Sequence, residues 1–203
     1  MISLAPADLG PRDAYRLLIS VVVPRPIAWV STVAADGATN LAPFSFFNAV
    51  ASNPLTVMVS LAQHRGGRPK DTLRNIRETG EFVVNIADES LAEVLNQTSA
   101  EWAHDVSEFE RVGLARAPSI AVRPPRVAAA PVALEARATQ IVPVEGTTYT
   151  MVLGHVVRFH VRDGLLRPNG LVDAKLLRPI ARLGGDEYAT LGEVFAMVRP
   201  EAD

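Results

Sequence analysis

The chain has no cysteine among its 203 residues. That removes disulfides, thiolate nucleophiles and cysteine-ligated metals together, and it suits a reducing cytoplasm, the expected location. Charge of one sign is not in surplus either. The formal net charge is −2, and without a basic run the chain is not expected to engage nucleic acid or an acidic membrane. Long apolar runs are missing as well: Leu17–Val23 includes Ser20 and stops at Pro24, far short of the roughly 20 residues of a membrane span. The start, MISLAPADLG, lacks the basic and apolar regions of a signal peptide. A soluble protein is expected. No G-x-S-x-G elbow, Walker sequence or dinucleotide G-x-G-x-x-G occurs. His64, His104, His155 and His160 form no metal-ligand spacing and read as structural or surface residues. With no acid, base or nucleophile singled out, any chemistry is expected to come from a bound cofactor that the protein orients.

What is present is strand. Apolar residues make up 48% and charged residues 21%, an ordinary globular balance, and the length suits one domain over residues 1–203. Ile27–Val33, Leu55–Leu61 and Phe82–Ile86 are apolar or β-branched runs with turn-forming neighbours. Val132–Ile141 alternates, with Val132, Leu134, Ala136 and Ala138 on one face and Glu135, Arg137 and Thr139 on the other. Thr148–Arg162 is the longest strand candidate; His155 and His160 have opposite parity on it. Asp71–Thr79 predicts a helix with Asp71 as N-cap and Gly80 as its stop, and Ser90–Gln97 a second. Thr98–Arg126 reads as a long excursion with one helical turn near Glu108. The fold class is mainly β with few helices: about six antiparallel strands closing into a barrel or sandwich.

The segment Pro26–Asn48 is the most informative. It gives two strands around an Asp36-Gly37 turn, then Ala42-Pro43-Phe44-Ser45-Phe46-Phe47-Asn48. Proline forfeits a ladder hydrogen bond and belongs at an edge or bulge, where backbone can meet a ligand. On an extended chain Phe44 and Phe46 share one face, Ser45 and Phe47 the other. Such a segment serves a core, or it offers a flat heteroaromatic ring an apolar wall and polar contacts. The Ser31 and Thr32 hydroxyls, at the end of the first strand, satisfy turn backbone or reach a ligand. Lys70 and Thr72 stand at a helix start, whose free N–H groups and positive dipole end suit a phosphate; a solvated Lys70 beside a capping Asp71 is the alternative. Together the segments fit a phosphorylated heterocyclic cofactor.

The runs R-P-I-A-W-V-S-T (Arg25–Thr32), N-L-A-P-F-S-F-F-N (Asn40–Asn48), K-D-T-L-R-N-I (Lys70–Ile76), E-F-V-V-N-I (Glu81–Ile86) and P-I-A-R-L-G-G-D-E-Y (Pro179–Tyr188) resemble, in order, the flavin reductase-like FMN-binding split-barrel family. The resemblance implies a six-stranded antiparallel split barrel that forms a homodimer, with FMN near the subunit interface. By matching motif, Trp29, Val30, Ser31 and Thr32 would line one side of the flavin. Ala42, Ser45, Phe47 and Asn48 would contact its ring or ribityl chain, and Lys70 and Thr72 would hold its phosphate. The implied activity is hydride transfer from NADH or NADPH to flavin, with reduced flavin able to serve a partner monooxygenase. The alternative is a flavoredoxin-like electron carrier without a nicotinamide reaction of its own.

Overall fold

The computed structural model describes residues 1–64, 66–103 and 106–201; His104 lies outside them. The hairpin forms as its sequence demands. Strand β1 (Ala28–Val33) pairs antiparallel with β2 (Thr39–Phe44), and the connection turns through Gly37 at φ 93°, a left-handed conformation that glycine adopts without strain. Asp36 Oδ1 accepts from the Ala38 N–H at 3.0 Å.

Five further strands extend this pair: β3 (Phe47–Ser52), β4 (Leu55–Ala62), β5 (Glu81–Ile86), β6 (Val132–Pro143) and β7 (Tyr149–Val161). They form one antiparallel sheet in the order β2-β1-β5-β6-β7-β4-β3. Its two edge strands, β2 and β3, are consecutive in the chain and separated only by Ser45 and Phe46. The sheet therefore curls until its edges meet, and the bend at those two residues keeps them from pairing. The result is a split barrel, with its seam at the aromatic segment. The strand count is seven where the sequence suggested six. The additional strand is β3, in which Asn48 to Ser52 are exposed, so no inward–outward alternation marks it.

The barrel encloses Val30, Phe44, Leu61, Phe82, Val84 and Val152, and helix α2 (Asp71–Thr79) closes one end by inserting Leu73 and Ile76. A second core lies on the outer face of β1, where Trp29 and Leu41 pack against Leu91, Leu95, Phe109 and Ile180. Gly154 on β7 lets that strand pass Phe82: a Cβ there would lie 2.5 Å from the ring.

Three expectations change. Helix α1 (Pro11–Val21) was not anticipated; Ile19 is its one buried residue, so its apolar side chains mark no core-facing stripe. The N-cap of α2 is Lys70, without a side-chain cap bond, and Asp71 is instead the first helical residue, paired with Arg74 at 3.0 Å. Glu135, which the alternation sets on the face of β6 opposite Val132, Leu134 and Ala136, is fully buried. The excursion folds over it, and its carboxylate accepts from the N–H groups of Ile120 and Ala121 at 2.8 and 2.5 Å and pairs with His160 Nε2. Gly80 ends α2 at φ 70°, as expected, and the single helical turn of the excursion is Glu108–Arg111. Among the described residues no helix is long and apolar enough to cross a membrane.

Candidate functional site

The seam of the barrel opens into a groove. Three adjoining cavities, of about 320, 120 and 140 Å³, share Pro43 as a common wall. Pro43 sits opposite Trp29 in the β1–β2 register, on an edge strand, where its missing N–H is tolerated. One side of the groove is the start of α2, the other the segment Leu95–Trp102, and its far end is formed by Arg182 and Tyr188.

The end near α2 joins a lysine to a helix start. Lys70 borders two of the cavities and holds its ammonium 5.7 Å from the centre of the Phe44 ring. Thr72 is buried beside it and accepts from Asn40 Nδ2 at 2.9 Å. Three acids border the same space, Asp71, Glu101 and Glu108. Asp71 is paired with Arg74. Burial pushes the Glu108 carboxyl above its usual range, against the Leu41 N–H that it accepts at 2.8 Å, with Asp71 adding to the rise. Trp102 Nε1 is buried in this part of the groove and, among the described residues, has no hydrogen-bond acceptor. An orphaned buried donor is rare in folded proteins, and an acceptor oxygen of a ligand would satisfy it.

The middle of the groove is apolar and aromatic. Phe46 stacks on Tyr149 with ring centres 5.7 Å apart, both bordering the cavity that contains Ser45 and Ser60. Burial raises the Tyr149 phenol, with Tyr15 beside it. At the far end Arg182 lies 4.5 Å from the Tyr188 ring, and the Tyr188 hydroxyl donates to Asn96 at 3.0 Å.

The residues singled out from sequence fall into three groups. Ala42, Ser45, Lys70 and Thr72 border the groove. Trp29, Val30, Ser31 and Thr32 are buried at 0–1% exposure, and the three polar side chains among them are engaged internally. Trp29 Nε1 donates to Thr98 Oγ1 at 2.9 Å, Ser31 Oγ to the Pro125 carbonyl, and Thr32 Oγ1 accepts from Asn75. They set the positions of Thr98 and α2, which do border the groove. Phe47 and Asn48 border none of its cavities. Their assignment rests on the motif match; the bend at Ser45-Phe46 breaks the strand alternation, so Phe46 faces the groove and Phe47 packs on the barrel core. Asn48 is exposed and accepts from the Ala49 N–H.

Asn40, Trp102, Arg182 and Tyr188 were not singled out. Arg182 and Tyr188 stand in the closing run that resembles the family, but no local spacing links them to residues more than a hundred positions earlier. His64 borders the end near α2 and pairs with Glu101 at 3.3 Å. Among the described residues no cluster of His, Asp or Glu could hold a metal ion.

This barrel is that of a known class. The chain belongs to the flavin reductase-like domain family, whose model matches residues 20–177. Solved structures agree along nearly the full length. Nitrilotriacetate monooxygenase component B from Bacillus cereus is 39% identical, with 97% of this chain and 98% of that one covered at a TM-score of 0.93. The 2-nitrobenzoate 2-nitroreductase of Pseudomonas fluorescens is 32% identical, with 98% and 96% covered at a TM-score of 0.89. A Shewanella frigidimarina protein with a split barrel domain, 24% identical and covered over 96% of each chain, matches in fold at a TM-score of 0.86.

Proposed function

We propose that the seam groove binds FMN and that the protein is an NAD(P)H-dependent oxidoreductase delivering hydride to that flavin. The observation that carries this reading is the two-part character of the groove: Lys70 and the start of α2 at one end, continuous with an aromatic and prolyl wall at Pro43, Phe44 and Phe46. A phosphate and a flat ring joined by a polyol chain match those two ends. Lys70 and the free N–H groups of α2 would hold the phosphate, Trp102 Nε1 would donate to an oxygen of the ligand, and Ala42, Pro43 and Ser45 would face the ring. The bound flavin would supply the hydride acceptor. The residues around it bind and orient it and narrow the access of water.

Membership of the flavin reductase-like family and the likeness to a monooxygenase component support a role in which reduced flavin serves a partner monooxygenase. A homodimer fits the surface. Tyr15, Leu18 and Val21 on α1 and Val157 and Phe159 on β7 are exposed at 41–65%, and apolar faces of this kind mark interaction sites. The test is oxidation of NADH and of NADPH by the purified protein in air with added FMN. Rapid oxidation with one donor is expected. Flavin binding without oxidation of either donor would leave the electron-carrier reading in its place.

A further inference from the structure

Arg25 is the one arginine in the buried set, 6% exposed. It donates from Nη1 to the carbonyls of Ile19 and Val22 at 2.5 and 2.8 Å, from Nη2 to the Leu183 carbonyl at 2.7 Å, and from Nε to Ser45 Oγ at 3.4 Å. All four acceptors are neutral. Among the described residues Arg25 has no carboxylate within ion-pair distance, and the charged or titratable groups facing it are Tyr15 from α1 and Arg182 from the strand paired with its own. Burial lowers its pKa, with Arg182 adding to the fall and Tyr15 opposing it; an arginine nevertheless stays charged. Burying a charge without a counter-ion is expensive, and the C-terminal carbonyls of α1 return only part of that through the helix dipole.

The position explains the expense. Arg25 borders none of the groove's cavities, but Ser45, which accepts its Nε hydrogen, borders two of them, and Phe46, whose ring centre is 6.0 Å from the guanidinium, borders one. A serine hydroxyl that accepts from a cation keeps its own hydrogen free to donate into the groove.

We propose that Arg25, acting through Ser45, is a positioning residue that favours the reduced, negatively charged form of the flavin ring. The inference rests on the flavin reading of the groove. Addition of one hydride, two electrons and one proton, converts the neutral oxidised ring to a reduced anion; a second proton gives the neutral reduced form. A fixed positive charge in a site of low dielectric favours the anion over both neutral forms. Its effect is therefore on redox balance more than on affinity for oxidised flavin.

The experiment measures the midpoint potential of FMN bound to the full-length protein against pH, for the wild type, Arg25→Lys, Arg25→Gln and Ser45→Ala. In the wild type the slope, which counts protons taken up per electron pair, is expected to stay at one down to a lower pH than for free FMN. Arg25→Gln is expected to lose at least tenfold in affinity for reduced over oxidised FMN, which is about 30 mV for a two-electron couple. Arg25→Lys is expected to keep most of the preference, and Ser45→Ala to lose part of it. Should Arg25→Gln fail to fold, the wild-type slope and Ser45→Ala still decide. FMN that binds to the wild type but titrates like free FMN overturns this inference and leaves the flavin site standing. A protein that binds no flavin overturns both.

Discussion

Replacing Lys70 by alanine separates the role of its charge from that of its side chain. The ammonium sits at the N-cap of α2 and borders two cavities of the groove. If it bonds to the phosphate of FMN, its loss removes a charge-assisted hydrogen bond of about 1.5–3 kcal/mol, a roughly 10- to 150-fold weakening. Two other contributions behave differently. The contact with the Phe44 ring, about 0.5–1 kcal/mol for a cation over an aromatic face, is lost whichever ligand is present. The free N–H groups of α2 and the helix dipole, about 0.3–1 kcal/mol, survive the substitution and leave a residual preference for phosphate. The ratio of FMN to riboflavin affinity therefore isolates the charge. It is measured by quenching of flavin fluorescence at low salt and at about 1 M salt, since screening at about 3 Å Debye length shrinks the effect at the higher concentration. Lys70→Ala is expected to lower that ratio at least tenfold at low salt. Equal losses for FMN and riboflavin would refute the assignment, and Lys70 would be a solvated helix-start residue.

Other substitutions read other parts of the account. Trp102→Phe removes a buried donor that has no acceptor among the described residues, so thermal stability without flavin should hold or rise, while FMN affinity should fall roughly 2- to 12-fold for a lost bond of about 0.5–1.5 kcal/mol; parallel losses in both would mean that Nε1 has an internal role. Gly154→Ala forces a Cβ to 2.5 Å from Phe82 and should cost about 1–3 kcal/mol in denaturant unfolding, whereas no change would show that β7 gives way easily. Glu135→Gln should cost about 1.5–3 kcal/mol near neutral pH. Burial alone would raise the Glu135 carboxyl, but the Ile120 N–H, the His160 ring and the Ala121 N–H outweigh it and hold its pKa below the ordinary value. Its contribution is thus present above the unfolded glutamate value, about 4.3, and is lost as pH falls through the lower folded value. The stability difference between the wild type and the Glu135→Gln variant should therefore begin to shrink as pH falls below about 4.3 and close only below the lower folded value, and a constant difference across pH would contradict this.

Local order was legible in the sequence and long-range burial was not. The β1–β2 hairpin and the bounds of α2 could be read because turn chemistry and helical spacing act within a few residues: Gly37 and Gly80 adopt the left-handed conformations their places require. That Lys70, Thr72, Ala42 and Ser45 come together at one groove was partly legible for the same reason, since a helix start and a proline at an edge strand carry their chemistry locally. The internal partners of Trp29, Ser31 and Thr32 were not legible, because what covers a strand side chain comes from distant sequence, here Thr98, Pro125 and Asn75. Glu135 shows the same limit: period-two alternation sets it opposite Val132 and Leu134, and it is the excursion returning over β6 that buries it. Phe46 and Phe47 exchanged faces because a two-residue bend resets strand parity, and the bend exists because the edges of the curled sheet must meet there.

The central claim is that the seam groove, from Lys70 to Ser45, is a flavin site. A visible difference-absorption titration of the purified protein with FMN, repeated with Lys70→Ala, tests it most directly. The account predicts a saturating shift of the flavin bands in the wild type, with saturation moved to at least tenfold higher FMN in the variant. An unperturbed FMN spectrum at every ratio, or a shift that is identical in the two proteins, would contradict it.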